Sequence, residues 1–126
     1  MKIGIYSRSI QESFFPIMEE ILNFFNQRSA KLHIHSNFTS QLRNNGFNVY
    51  GVKEFDHYNN LDPELEMMIS IGGDGTFLET VTYIRNRNIP ILGINSGRLG
   101  FLADIAPKDI IEALNDVFDH KYTIEN

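Results

Sequence analysis

A chain of 126 residues is one domain's worth of sequence, long enough to bury about two thirds of the surface it exposes when unfolded. Sixteen acidic residues against eleven basic ones give a net charge of -5, which argues against a general nucleic-acid binder, because affinity for a phosphate backbone needs clustered Lys and Arg. Cysteine is absent, so disulfides, thiolate zinc sites and a Cys nucleophile are excluded.

Ile3 and Ile5, beside Gly4 and Tyr6, predict a short first strand. Ser7 and Arg8 interrupt the apolar character before a signal-peptide core can form, and no run approaches the ~18 to 20 apolar residues of a membrane span. A cytoplasmic protein with no membrane partner is expected. Phe14, Phe15, Ile17, Met18, Ile21, Leu22, Phe24 and Phe25 recur at helical spacing, and Pro16 fits only in the first turn of that helix. Its aromatic face is most simply core, with a subunit contact in a homo-oligomer as the alternative.

Lys31 to His35 alternates Leu32 and Ile34 with polar neighbours and predicts a second strand. His33 and His35 share one face of it and could hold a metal, but no third ligand is evident, and exposed histidines on an edge strand are the ordinary alternative. Gln41 to Gly46 finishes a helix at an Asn-Asn-Gly stop, and Phe47 to Val52 reads as extended.

Met67 to Ile71 is a continuous apolar run of buried-strand length. Phe77, Leu78, Val81 and Ile84 then predict a helix with those residues on its apolar face, and Ile91, Leu92 and Ile94 a further buried strand. Pro107 opens a last helix with Ile110, Ile111, Leu114, Val117 and Phe118 on one face, and Tyr122 to Glu125 begins something extended. Strands alternating with helices predict an α/β fold: a mainly parallel sheet with helices on both faces.

Ligands of such sheets collect outside the carboxyl ends of the strands, where Gly72-Gly73-Asp74-Gly75-Thr76 follows the Met67 to Ile71 strand. Glycines there permit positive φ and close approach of backbone N–H groups to a ligand, and the following helix N-terminus suits phosphate. A plain tight turn with Asp74 as helix cap is the alternative. Thr76 and Glu79, however, match the capping-box spacing, with Thr76 as N-cap and Glu79 reaching back to its N–H. Asp74 then falls two residues too early to cap. A carboxylate beside a phosphate site needs a partner other than phosphate, and a ribose hydroxyl is the natural one. The same geometry lets Asp74 accept a proton when that hydroxyl attacks a phosphoryl group. The loop matches neither the lysine-bearing phosphate loop nor the three-glycine dinucleotide fingerprint.

A second loop, Gly93-Ile94-Asn95-Ser96-Gly97-Arg98-Leu99-Gly100-Phe101-Leu102, follows the Ile91 strand. By itself it reads equally as a turn followed by core residues. Together the two motifs closely resemble the NAD kinases, which phosphorylate the adenosine 2′-hydroxyl of NAD. Lipid kinases of the diacylglycerol and sphingosine type and phosphofructokinases carry loops similar to the first motif alone.

The resemblance implies a Rossmann-like, phosphofructokinase-like N-terminal domain with Asp74 as proton acceptor and no protein-borne metal centre. It also implies substrate contacts from Gly72, Gly73, Asp74, Gly75, Thr76, Asn95, Arg98, Phe101 and Leu102, NAD as acceptor, and ATP with Mg²⁺ as donor. Many family members carry a basic residue where this chain has Glu79, so that cation is lost or supplied elsewhere, with Arg98 the candidate. Family enzymes also carry an Asn-Glu motif in a later β-rich domain, and no Asn-Glu pair occurs here. Residues 1–126 are therefore expected to be an N-terminal nucleotide-binding domain, incomplete and inactive alone, with the NAD-binding β domain after 126. A nucleotide-binding sensor and a lipid kinase remain the alternative functions.

Overall fold

The computed structural model describes residues 1–96 and 109–120; the predictions for Arg98, Phe101, Leu102, Pro107 and the Tyr122 to Glu125 tail lie outside these residues. Five strands form one all-parallel sheet: β1 (Lys2–Tyr6), β2 (Lys31–His35), β3 (Lys53–Phe55), β4 (Met67–Gly72) and β5 (Ile91–Asn95), in the order β3-β2-β1-β4-β5. Among the described residues, four α-helices accompany them: α1 (Phe15–Gln27), α2 (Ser36–Asn44), α3 (Asp74–Ile84) and α4 (Ile110–Asn115), the last running into a π-helical turn, Asp116–His120.

The period-two alternation of the strands sorts their side chains between two cores. Ile3, Ile5, Ile34, Ile69, Ile71 and Ile94 point to the face covered by α1, α2 and α4, where Met18, Ile21, Phe25, Phe38, Ile110 and Leu114 complete a cluster. Tyr6 and Met68 point to the other face and pack with Phe55, Leu61, Leu65, Ile84 and Ile89. Helices on both faces of a parallel sheet are as the alternation predicted, and Pro16 lies in the first turn of α1.

Four local expectations are corrected. Phe47 to Val52 is not extended. Gly46 (φ 87°) and Gly51 (φ 81°) turn the chain at either end, the Asn48 side chain accepts from the Tyr50 N–H at 3.0 Å, and the strand comes later, at Lys53–Phe55. Second, β2 lies between β1 and β3 rather than at an edge, and His33 and His35 are buried at 7% and 6% exposure.

Third, α3 buries Thr76, Thr80 and Ile84, whereas Leu78 is 67% and Val81 41% exposed and Phe77 only half-buried. The Thr80 hydroxyl donates to the Thr76 carbonyl at 2.8 Å and lies 2.9 Å from the Ser70 hydroxyl, so a polar seam rather than the apolar stripe faces the sheet. Fourth, α3 starts two residues before the expected Thr76 cap. Its N-cap is Gly73, without a side-chain cap, and Thr76 is the third helical residue, buried against β4.

Candidate functional site

The chain leaves β1 toward α1 on one face of the sheet and leaves β4 toward α3 on the other. The crevice between the carboxyl ends of these two neighbouring strands is the topological switch point, where ligands of open α/β sheets bind. The glycine turn closes β4 there, and Ser7 and Arg8 leave β1 beside it.

In the glycine turn, Gly72 is the last residue of β4, Gly73 caps α3, and Asp74 and Gly75 are its first two residues. The first helical bond runs from the Phe77 N–H to the Gly73 carbonyl at 3.0 Å, so the N–H groups of Asp74, Gly75 and Thr76 precede any intrahelical acceptor. Gly73, Asp74 and Gly75 are exposed. The turn thus offers solvent the helix-end N–H groups of Asp74 and Gly75 and one carboxylate. Of the three glycines only Gly72 has positive φ, +157°, and a β-carbon there would collide with Thr76; one on Gly73 would meet nothing within 4 Å.

The second loop joins the first in register. Asn95 ends β5 opposite Gly72, and the Ser96 N–H donates to the Gly72 carbonyl at 3.3 Å. The structure therefore brings Gly72, Gly73, Asp74, Gly75, Thr76 and Asn95 together, with Thr76 packing beneath the turn rather than facing outward.

The capping-box reading of Glu79 is overturned by its tertiary partners. Its carboxylate accepts from the Tyr6 hydroxyl at 2.5 Å and from Arg8 Nε at 2.8 Å instead of reaching back to Thr76. These two donors, Arg8 first, hold the Glu79 carboxyl below its ordinary range. Burial and, second, Glu79 push the Tyr6 hydroxyl well above its own.

Arg8, which the sequence offered only as a polar break after a strand, is a cation at the glycine turn. A β-carbon on Gly75 would lie 3.0 Å from its Nη2 and 3.3 Å from its Nη1. Its position just past an apolar strand at the switch point was the available signal.

Beyond Arg8 the carboxyl ends of β1 and β2 open a cleft of about 310 Å³ lined by Tyr6, Ser7, Arg8, His35, Asn37 and Gln41. His35 Nδ1 accepts from the Asn37 N–H at 3.2 Å, which leaves Nε2 as the protonated nitrogen facing the Tyr83 hydroxyl at 3.0 Å. Burial lowers the pKa of both His35 and His33. Among the described residues, no group of three His, Asp or Glu side chains converges to hold a metal, and no helix is long and apolar enough to cross a membrane.

Comparison with known proteins gives this geometry a family. The profile of the ATP-NAD kinase N-terminal domain matches residues 3–122. The chain is 42% identical over 124 residues to the NAD kinase of Flavobacterium psychrophilum, covering 98% of itself and 42% of that protein. It is 34% identical over 125 residues to the NAD kinase of Methanothermobacter thermautotrophicus, covering 99% of itself and 41% of that protein. The chain thus spans about two fifths of the length of the curated relatives it matches. The crystal structure of yeast NADH kinase complexed with NADH shares the fold, with a TM-score of 0.75 at 16% identity over 93% of this chain and 35% of that one. The chain belongs to the NAD kinase family and corresponds to its N-terminal α/β domain.

Proposed function

We propose that this chain carries the phosphoryl-transfer loop of an NAD kinase, which moves the γ-phosphoryl group of ATP to the adenosine 2′-hydroxyl of NAD. The observation that supports this most is the exposed Asp74 carboxylate in the first turn of α3, beside the helix-end N–H groups of Asp74 and Gly75 at the β1/β4 switch point.

The chemistry follows from what each group can do. The 2′-hydroxyl oxygen attacks the γ-phosphorus, the new O–P bond forms as the bond to the β-phosphate oxygen breaks, and ADP leaves. Asp74, an acceptor when ionised, orients the hydroxyl and takes its proton. In a loose transition state little is asked of the base until late, so positioning and charge neutralisation carry most of the catalysis. The N–H groups of the α3 turn suit the phosphate oxygens. Asn95, held beside Gly72, is assigned to the adenosine side of the site, with Arg98, Phe101 and Leu102 of the same loop as further contacts. Mg²⁺ is taken as part of the MgATP substrate, since its usual ligands in such sites are phosphate oxygens with one or two carboxylates. A cytoplasmic homo-oligomer is part of the same reading, checked by light scattering on the purified protein.

The test is NADP formation from NAD, ATP and Mg²⁺ by the purified full-length gene product. Nucleotide binding without NADP would identify a sensor domain, and a phosphorylated lipid product a lipid kinase.

A further inference from the structure

Arg8 is held at both its side chain and its backbone. Its Nε donates to Glu79 at 2.8 Å, and Glu79 is itself fixed by the Tyr6 hydroxyl on β1. The Arg8 carbonyl accepts from Gln41 Nε2 of α2 at 2.6 Å. With Nε engaged, the two Nη nitrogens form the edge that lies against Gly75, and that edge is the end-on fork with which a guanidinium takes two phosphate oxygens. The side chain as a whole is 56% exposed.

We propose that Arg8 binds the phosphate chain of the phosphoryl donor at the glycine turn, and that Glu79 is the residue that positions it. The inference rests on the NAD kinase reading for the identity of the donor. The acceptor hydroxyl sits at Asp74, and in a near-attack arrangement the transferred phosphorus lies about 3 to 3.5 Å from that oxygen. A cation one residue further on, against Gly75, meets the phosphoryl side of that pair rather than the uncharged ribose. The cleft that continues past Arg8 toward His35 and Asn37 gives the rest of the phosphate chain room, its volume of about 310 Å³ lying within the range of small-molecule pockets. Because Arg8 and Glu79 together are neutral, the contact is short-range and directional and adds little long-range steering.

The experiment measures inorganic tripolyphosphate binding by calorimetry and NADP formation by the full-length protein, for wild type, Arg8→Ala, Arg8→Lys, Glu79→Gln and the Arg8→Ala/Glu79→Gln double variant. Loss of a charged hydrogen-bond donor is expected to weaken tripolyphosphate binding and raise KM for ATP by about tenfold or more. KM for NAD should stay within about twofold, as befits a contact made to the donor alone. Arg8→Lys recovers part of the loss, and the double variant is no weaker than Arg8→Ala because Glu79 acts through Arg8. Unchanged tripolyphosphate affinity in Arg8→Ala, or a rise in KM for NAD alone, overturns the donor contact; additive losses overturn the positioning role of Glu79. If wild type forms no NADP yet tripolyphosphate binding still depends on Arg8, the kinase reading fails and the phosphate contact stands. Normal KM for ATP in an active Arg8→Ala enzyme does the reverse.

Discussion

A β-carbon built on Gly72 would lie 2.5 Å from Thr76 Oγ1 and 2.7 Å from Thr76 Cβ, whereas one built on Gly73 meets nothing within 4 Å. Gly72 is therefore required by the helix packed beneath it, whereas no atom of the described residues would meet a β-carbon at Gly73. Gly72→Ala is expected to lower stability by ~1 to 3 kcal/mol, the usual range for overpacking, while Gly73→Ala stays within ~0.5 kcal/mol. Nucleotide affinity should fall in both. Thermal melts and a nucleotide titration on the same two variants separate the roles; equal stability losses would place the strain at the turn as a whole.

Asp74→Asn keeps the shape of the first turn of α3 and a hydrogen-bonding side chain but cannot take a proton. Nucleotide binding is expected to stay within about tenfold, ~1.4 kcal/mol, while turnover falls by ~10² or more. Steady-state kinetics beside direct binding measurements decide it, and near-normal turnover would remove Asp74 from the proton-transfer role.

Gly75→Val places a branched side chain where the Arg8 guanidinium now rests, 3.0 Å from the position of its Cβ. Arg8 is long and half-exposed, so it yields before the helix does, and the protein is expected to fold with Arg8 displaced. Affinity for ATP should fall more than in Asp74→Asn, since the substitution both covers the α3 N–H groups and moves the cation. Unchanged affinity for ATP and NAD in folded Gly75→Val would contradict the phosphate cradle.

Three of the perturbed titrations around the site shape the pH profile of stability. Arg8 and then Tyr6 lower the Glu79 pKa from its ordinary 4.5, so its contribution is present above 4.5 and is lost as pH falls through the lowered value. At 42% exposure that contribution is small. Burial lowers the His35 pKa from 6.5, so the neutral ring stabilises above pH 6.5 and the benefit is lost as pH falls further. Burial and then Glu79 raise the Tyr6 pKa from 10.0, so its contribution is complete below pH 10 and disappears as pH climbs through the raised value. The melting temperature is therefore expected to be flat between about pH 7 and 9 and to decline on both sides. Tyr6→Phe should remove part of the alkaline decline, and an unaltered alkaline arm in that variant would show that other groups cause it.

What could be read from the sequence was what neighbouring residues decide. β4 is a buried run and α1 has a strong 3.6-residue stripe, so burial dictates their type, whereas β5, read as a buried strand, lies at the edge of the sheet with only Ile94 fully buried. β3 has three residues, two of them exposed and charged, at the sheet edge, and carries no pattern to read. The site divides the same way. Asp74 and its glycines lie together in sequence and were legible, whereas Arg8 meets Glu79 across 71 residues. Thr76 and Glu79 satisfied a local capping motif that tertiary contacts with Gly72, Tyr6 and Arg8 then overrode.

The last prediction concerns the 126-residue chain expressed by itself. Its sheet carries buried clusters on both faces, so it has the core of a cooperatively folding domain. Its site is open on one side: Gly73, Asp74 and Gly75 face solvent among the described residues, and the chain spans about 42% of the Flavobacterium psychrophilum relative. Holding donor and acceptor in near-attack geometry is worth ~7 to 11 kcal/mol of the barrier, and a one-sided crevice supplies little of it. The chain alone is therefore expected to melt in a single transition, to bind nucleotide weakly and to form no measurable NADP. The control, at equal molar concentration with ATP and Mg²⁺, is the full-length Flavobacterium psychrophilum NAD kinase. Turnover comparable to that control would mean that both sides of the site reside in these 126 residues, and the assignment of the acceptor side would have to be redrawn onto this chain.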